Sequence, residues 1–152
     1  MDGSTRFHTD VDPADLEVVR QFEHHALYER DFEAAMRYAH PDLTVREAPS
    51  LPYRGTYVGL AGQRQLLADV DAIWAFDGDA IDSEFFAAAG GLVVSRVTGR
   101  ATLRATGQAV DFLVVELFTV RDGKVADIEV YYYDQEPLRA VPSLDRPPTA
   151  PV

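Results

Sequence analysis

The stretch 43–67, LTVREAPSLPYRGTYVGLAGQRQLL, changes its predicted local structure several times, and it decides how the rest of the chain is interpreted. Alternating apolar and polar residues predict a strand from Leu43 to Glu47. A loop containing prolines, a turn marked by glycines and the start of a helix follow in that order. Leu43, Val45 and Glu47 share one face of the strand, because side chains alternate along it. Glu47 is therefore expected at the end of this strand, at the lip of the space that the strand helps to enclose, as a candidate catalytic carboxylate.

The residues upstream of this stretch predict helices. Asp12–Pro13 combines an N-cap side chain with a proline at the first helical position, and the helix is expected to run to about Arg30. Glu23 falls in the middle of the apolar face of this helix, where a carboxylate needs an explanation. Two explanations stay open: Glu23 forms an ion pair with Arg20 or Arg96, or it belongs to a functional site.

Two further helices and four strands complete the predicted elements. Asp31 begins a short second helix that ends at His40–Pro41, and a third helix spans roughly 60–75, with Trp74 near its apolar side. Gly99 is expected to mark a bulge or a bend within one of the strands. The four strands are predicted at about 80–88, 92–105, 110–120 and 124–134.

The last hairpin allows two registers. A two-residue Asp-Gly turn would place Glu129 opposite Glu116, whereas a three-residue turn with Gly123 in the left-handed bulge position shifts the pairing by one residue. We prefer the second register, because it gathers the apolar residues of both strands on one face. Glu116 is then the one charged residue in the middle of that inner face. The aromatic residues of the inner face are Phe112, Phe118 and Tyr132.

These patterns predict the α+β class, with three N-terminal helices packed in a curved antiparallel or mixed sheet. Such a cone has an apolar interior and one open end, which suits a small hydrophobic molecule. The expected organisation is a flexible arm at 1–11, one domain at 12–136, and a proline-rich tail at 137–152 that is either disordered or laid over a surface.

The apolar outer face of the predicted sheet indicates that a second copy of the chain covers it. It is too apolar to be left in water, and a second copy packed sheet to sheet is the simplest cover, so we expect a homodimer. The residues of this outer face are Leu113, Val115, Leu117, Tyr131 and Tyr133.

Composition narrows the class of function. The net charge of -11 and the pI of about 4.6 disfavour binding to nucleic acid or to an anionic membrane surface. The chain has no cysteine, and its 4 histidines show no metal-ligand spacing, so no metal or cofactor is expected. The N-terminus lacks the apolar core of a signal peptide, and no apolar run is long enough to cross a membrane. A cytoplasmic location is the default expectation.

Three segments carry a family resemblance: DFEAAMRYAHPDLTVREAP at 31–49, the run from Gly55 to Gly59 with Tyr57 between the glycines, and ELFTVRDGKVADIEVYYYD at 116–134. With the order helix, helix, strand, loop, helix and four strands, the chain resembles the nuclear transport factor 2-like superfamily. Within it, the SnoaL-like polyketide cyclases and the ketosteroid isomerases are the most similar branches. The resemblance implies a cone-shaped fold and covers about 13–134.

The resemblance also implies roles for individual residues. Glu47 stands where ketosteroid isomerases place their general base, and Glu116 stands where they place a protonated acid that donates to the developing oxyanion. Glu23 replaces their oxyanion-binding tyrosine, which argues against steroid isomerisation. The limonene epoxide hydrolase branch has an arginine two residues before an aspartate. Arg96 matches that arginine, but Thr98 replaces the aspartate, so this branch does not fit.

The expected function is therefore that of a cofactor-free acid–base enzyme that cyclises, dehydrates or isomerises a hydrophobic carbonyl compound. Glu47 would act as the base and Glu116 as the acid, because carboxyls that share an apolar pocket separate in pKa. Substrate-binding roles are expected for Glu23, Tyr57, Trp74, Arg96, Phe112, Phe118, Tyr132 and Asp134.

Structural explanations compete with these roles. Glu47 could end its strand in solvent, and Glu116 could be a buried residue hydrogen-bonded to Tyr57 or Tyr132. At the level of the whole protein, the alternative is a non-catalytic binding or scaffold protein of the same fold. Such a protein would have its pocket filled by side chains, with Glu23 and Glu116 paired to arginines.

Overall fold

The first helix of the computed structural model, which describes residues 11–77 and 80–144, begins where the sequence predicts it. The side chain of Asp12 accepts a hydrogen bond from Ala14 N at 2.9 Å, and proline follows at the first helical position. Helix α1, Pro13–Glu23, continues directly into a π-helical segment, His24–Glu29. The helix ends at Arg30, whose φ of 56° is left-handed.

The next elements differ from the prediction in length. Helix α2 is only Phe32–Met36, and strand β1 already begins at Ala39 and runs to Glu47. Strand β2, Gly55–Val58, pairs antiparallel with β1 and leads directly into helix α3, Gly59–Ile73. The third helix therefore follows two strands and is not part of a purely helical N-terminal half.

The remaining strands complete a mixed sheet. They are β3 Trp74–Phe76, β4 Asp82–Ala87, β5 Leu92–Leu103, β6 Ala109–Arg121 and β7 Lys124–Tyr132. Within the described ranges the strand order is β2-β1-β7-β6-β5-β3, with β4 also paired to β5. β1 and β7 are parallel, and the other pairs are antiparallel. The sheet curls around α1 and α3 as an α+β cone.

The β6–β7 hairpin has the predicted register, but for a different reason. Glu116 pairs with Val130, as the preferred alternative required. The turn itself is the tight two-residue type, since Arg121 pairs with Lys124 and both intervening residues have a positive φ. The one-residue shift comes from a β-bulge between the Val120–Val125 and Thr119–Asp127 pairs, which leaves Ala126 unpaired.

Gly99 does not form the predicted bulge. It pairs regularly with Phe112, and the register of β5 and β6 is continuous through this position. A Cβ atom on Gly99 would lie 2.7 Å from the carbonyl oxygen of Ala80 and 2.8 Å from Cζ of Phe112. The glycine is therefore needed for close packing between these neighbours.

The core lies between the helices and the inner face of the sheet. Val19 and Phe22 of α1 and Leu66 of α3 are buried there. Beyond the sheet, a short 3₁₀ turn at Glu136–Leu138 brings Leu138 and Val141 into the same core. Among the described residues, no helix has both the length and the apolar character needed to cross a membrane.

Candidate active site

The interior of the cone contains a cavity of about 150 Å³ between α1, α3 and the sheet. An apolar cavity of about this size holds one benzene-sized group. Most of the wall is aliphatic or aromatic, and a small number of polar side chains interrupt it. These are Glu23, Glu47, Gln63, Trp74, Glu116 and Tyr132. An apolar pocket with a few convergent polar groups is typical of a small-molecule site.

Glu47 is the last residue of β1 and lines the cavity, on the face of the strand that alternation predicts. Leu43, Val45 and Glu47 are all buried, and only 5% of Glu47 is exposed. Its Oε2 atom is buried without a hydrogen-bond partner among the described residues. Burial raises the pKa of Glu47 well above its ordinary value, because no nearby donor compensates the ionised form. Glu47 therefore keeps its proton to a higher pH than an exposed glutamate does.

Glu23 and Glu116 form a carboxyl pair with Ser95. Ser95 Oγ donates to Glu23 Oε1 at 2.5 Å and lies 3.4 Å from Glu116 Oε2. Ser95 is fully buried, and Glu23 is nearly so. α1 supplies the first carboxyl, β6 the second, and β5 places the serine between them, since Ser95 and Glu116 are directly cross-strand partners.

The carboxyl pair holds one proton more tightly than the other. Burial raises the pKa of Glu23, while hydrogen bonds from Glu116, Ser95 and Ser83 oppose that rise. The pKa of Glu116 lies well above its ordinary value because of burial, and because of the neighbouring charges of Glu23 and Glu47. The interaction between the two carboxyls lowers the pKa of Glu23 and raises the pKa of Glu116, so the first proton to leave the pair leaves from Glu23.

A chain of aromatic hydrogen bonds approaches the cavity from the other side. Trp74 Nε1 donates to the hydroxyl oxygen of Tyr53 at 3.0 Å. The hydroxyl oxygens of Tyr53 and Tyr132 are 2.6 Å apart. Trp74 and Tyr132 line the cavity, and Tyr53 lies behind them with 1% of its surface exposed.

The aromatic residues predicted for the site divide into two groups. Trp74, Phe112 and Tyr132 line the cavity wall. Phe118 is buried behind the wall, where its ring meets that of Phe22 edge to face at a centroid distance of 6.2 Å. Phe118 therefore supports the helix that carries Glu23 but does not reach the cavity.

Tyr57, for which a substrate-binding role is expected, does not line the cavity. Its hydroxyl lies 2.9 Å from Asp69 Oδ2 and 3.0 Å from the carbonyl oxygen of Tyr53, in a buried position outside the cavity lining. Tyr57 lies on β2, and its side chain reaches Asp69 on α3. Its position is that of a packing residue that ties the strand to the helix.

The predicted substrate contacts of Arg96 and Asp134 are wrong. β5 turns Val93, Ser95 and Val97 inward, so Arg96 points outward and forms an ion pair with Glu84 at 3.1 Å. The physical reason is the strand period: a residue between two buried neighbours faces the opposite side.

Asp134 lies beyond the end of β7 and is exposed. Its side chain accepts a hydrogen bond from Glu136 N at 2.9 Å, so it caps the turn that follows the sheet.

Sequence reasoning missed three residues of the site region. Ser95 could have been found, because Arg96, Thr98 and Arg100 form a polar row that is typical of a solvent-facing side. Gln63 could also have been found, since it precedes Leu66, Leu67 and Val70 at helical spacing. Tyr53 lies in an irregular loop without periodicity, and no sequence signal identifies it.

The residues described by the structure contain no group of three histidine, aspartate or glutamate side chains arranged to hold a metal ion. Within the ranges 11–77 and 80–144, no arginine, lysine or histidine forms an ion pair with a cavity carboxyl. The ion pairs formed by Arg30, Arg46, Arg64, Arg96 and Arg100 all involve exposed or half-exposed acids outside the cavity.

The fold and the cavity define a nuclear transport factor 2-like cone with an acidic, apolar pocket. The chain belongs to the SnoaL-like domain family, whose family model matches residues 18–128. The matched range contains the three cavity carboxyls and ends just before Val130 and Tyr132. A comparison with curated proteins finds no significant match.

Solved structures share the fold at low identity. A nuclear transport factor 2-like protein of Burkholderia xenovorans LB400 is 21% identical, with a TM-score of 0.69 over 86% of this chain and 96% of its own. A protein described as a SnoaL-like polyketide cyclase of Mesorhizobium loti is 24% identical, with a TM-score of 0.62 over 76% and 97%. An epoxide hydrolase of the LEH-like type from M. tuberculosis is 19% identical, with a TM-score of 0.59 over 82% and 86%.

Proposed function

We propose that this chain is a cofactor-independent acid–base enzyme that acts on a hydrophobic carbonyl compound, as a polyketide-type cyclase, dehydratase or isomerase. The observation that carries this proposal is the set of three carboxyls, Glu23, Glu47 and Glu116, which face one apolar cavity and have no cationic partner in the part of the chain that the structure describes. Membership of the SnoaL-like family and the fold shared with a described polyketide cyclase support the same class.

The cavity carboxyls are costly to the fold, which favours a functional reason for keeping them. An unpaired acid in an apolar site loses the hydration that would stabilise its charge, and it must stay protonated or bind a donor. Apolar residues of similar volume would fill these positions without that cost. Perturbed acids clustered in a cavity are typical of catalytic sites.

The geometry changes which carboxyl we expect to act as the acid and which as the base. Burial raises the pKa of isolated Glu47 well above its ordinary value, whereas hydrogen bonds oppose the rise at Glu23, so the Glu23–Glu116 pair is the better proton acceptor and Glu47 the better proton donor. In our proposal the pair removes a proton from the carbon next to the carbonyl. Glu47 protonates the carbonyl oxygen as the enol forms, and the reverse transfers complete the reaction. Glu47 thus becomes the acid, in place of the base predicted from the sequence.

The test is proton exchange, which needs no knowledge of the natural product. Acetophenone, within a panel of aromatic ketones, would be incubated with the protein in D₂O, and loss of the protons next to the carbonyl would be followed by NMR. Glu47→Gln and Glu116→Gln should each lower the exchange rate by about 10²- to 10⁴-fold. Glu84→Gln, which changes an exposed glutamate on β4, is the matched control. Full exchange in both cavity variants would contradict the proposal.

The competing candidate is a non-catalytic binding or scaffold protein. That alternative predicts an interior filled by side chains, with Glu23 and Glu116 paired to arginines. The cavity of about 150 Å³ and the exposed location of the arginine ion pairs favour the enzyme instead.

Epoxide hydrolysis of the LEH-like kind is disfavoured by the position of Arg96. It lies on the outer side of β5, away from the cavity, and is paired with Glu84 there.

A further inference from the structure

The two tyrosines behind the carboxyls form a hydrogen-bond chain whose direction can be deduced. The indole nitrogen of Trp74 can only donate, so the oxygen of Tyr53 accepts its proton. The Tyr53 hydroxyl must then send its own proton elsewhere. Among the described residues, the acceptor within reach is the hydroxyl oxygen of Tyr132, at 2.6 Å.

The opposite direction of the Tyr53–Tyr132 bond is unfavourable. If Tyr132 donated to Tyr53, the proton of Tyr53 would be left without an acceptor in a site that is only 1% exposed. A buried donor without a partner bears the full desolvation penalty. Tyr132 is in a different position, because it lines the cavity and can offer its proton to whatever the cavity holds.

We propose that Tyr132 presents its hydroxyl proton to the cavity and binds the carbonyl oxygen of the ligand, with Tyr53 and Trp74 fixing that direction. Tyr132 has no other hydrogen-bond partner among the described residues. Successive donors polarise one another, so the chain from Trp74 through Tyr53 strengthens Tyr132 as a donor. The choice of a carbonyl compound as the ligand rests on the proposed function.

The position of Tyr132 makes it a specificity determinant. Burial raises the pKa of Tyr132 well above its ordinary value, and the neighbouring Tyr53, Glu47 and Glu116 raise it further. The hydroxyl therefore stays protonated and neutral beside the acids that would move protons. A ligand with an acceptor oxygen satisfies Tyr132, whereas a hydrocarbon of the same shape leaves its donor unpaired.

Two probes of nearly the same shape test this inference. Acetophenone carries the carbonyl oxygen, and α-methylstyrene has a CH₂ group in its place. Affinities of the full chain for both would be measured by NMR titration, and the carbonyl stretch of bound ¹³C-labelled acetophenone would be measured by infrared spectroscopy. Tyr132→Phe should weaken acetophenone binding by about 3- to 10-fold and leave α-methylstyrene within about twofold. The carbonyl stretch should move to higher frequency in Tyr132→Phe.

Variants of the neighbouring residues separate donation from general damage to the fold. Tyr53→Phe should give part of the frequency shift seen in Tyr132→Phe, because Tyr132 then no longer receives the hydrogen bond from Tyr53 that strengthens it as a donor. Tyr57→Phe removes another buried tyrosine hydroxyl, one outside the cavity, and should leave the frequency at the wild-type value.

The inference would be overturned by a carbonyl frequency that is the same in wild type and Tyr132→Phe. Equal losses of affinity for the two probes, or failure of both to bind the wild-type chain, would overturn it as well. The measurement needs no turnover. A protein that binds acetophenone through Tyr132 but exchanges no proton with any ketone would contradict the proposed function and leave this inference standing.

Discussion

Glu23 and Glu116 share one hydroxyl group: Ser95 Oγ lies 2.5 Å from Oε1 of Glu23 and 3.4 Å from Oε2 of Glu116. The serine has a single proton, which it gives to Glu23 at the shorter distance. Glu23 thereby becomes the better acceptor, and Glu116 keeps its own proton. The asymmetry between two chemically identical side chains thus originates in a third residue on a neighbouring strand.

Removing the serine hydroxyl should raise the pKa at which the carboxyl pair first ionises. In Ser95→Ala, Glu23 loses a donor that stabilises its charged form, while its burial is unchanged. The measurement is a titration of ¹³C-labelled glutamate carboxyls by NMR, in which the first ionisation of the pair should move to higher pH. Ser50→Ala, which removes an exposed serine hydroxyl outside the cavity lining, should leave the curve unchanged. An unchanged curve in Ser95→Ala would show that the serine does not set the asymmetry.

Replacing Glu47 should stabilise the protein increasingly as the pH rises. The folded pKa of Glu47 lies well above 4.5, so between pH 4.5 and that raised pKa the folded chain binds more protons than the unfolded chain. The wild type therefore loses stability with rising pH, whereas Glu47→Gln does not lose this contribution.

The size of that effect can be measured by urea unfolding from pH 4 to pH 8. The gap in unfolding free energy should grow in favour of Glu47→Gln by up to about 1.4 kcal/mol per pH unit above pH 4.5. Glu33→Gln, which changes an exposed glutamate, should show no such trend. A gap that stays constant with pH would mean that Glu47 is solvated in the folded chain.

A methyl group at Gly99 should disturb both the fold and the cavity. The added Cβ would meet the carbonyl oxygen of Ala80 and the ring of Phe112 well inside contact distance. Gly99→Ala should lower the unfolding free energy by about 1–3 kcal/mol and push Phe112 toward the cavity, which weakens binding of acetophenone. Thr98→Ala, one residue away on the outer side of β5, is the control. Wild-type stability in Gly99→Ala would contradict the packing described for this strand pair.

We also predict that the chain forms a homodimer through the outer face of the sheet. Tyr131 and Tyr133 are 52% and 85% exposed in the single chain, beside the half-buried leucines and valine of β6. Light scattering should give twice the chain mass of 16.8 kDa. Leu117→Lys, in the centre of this face, should shift the protein to monomer, because a charge cannot be buried there without a partner. Leu60→Lys, on α3, should leave the mass unchanged, and a monomeric wild type would refute the prediction.

Much of the site could be predicted from sequence because periodicity reports which way a side chain points. The inward positions of Glu23, Glu47 and Glu116 follow from helical spacing, from strand alternation and from the hairpin register, and all three line one cavity. The error at Arg96 has the same origin: two neighbouring valines, Val93 and Val94, made either face of β5 look apolar. In the structure Val93, Ser95 and Val97 are buried, so Arg96 lies on the opposite, outward face of β5.

Other features depended on contacts that a linear pattern does not contain. Tyr53 lies in a loop, and its role comes from Trp74 and Tyr132, which are distant in sequence. The assignment of acid and base likewise depended on Ser95, a hydroxyl whose effect is visible only once three elements are brought together. The tightness around Gly99 arises from a neighbouring strand and an adjoining loop.

The bulge at Ala126 decides which residues of β7 face the cavity. If Ala126 paired regularly with Thr119, every residue beyond it would shift by one position, so that Asp127 and Glu129 would turn inward and Ile128, Val130 and Tyr132 would face outward. For an evolving lineage, gain or loss of this bulge at constant strand length is therefore a large step in ligand preference, although no wall residue is itself substituted. Protein engineers can treat the bulge in β7 as a design variable separate from the identity of the residues that line the cavity.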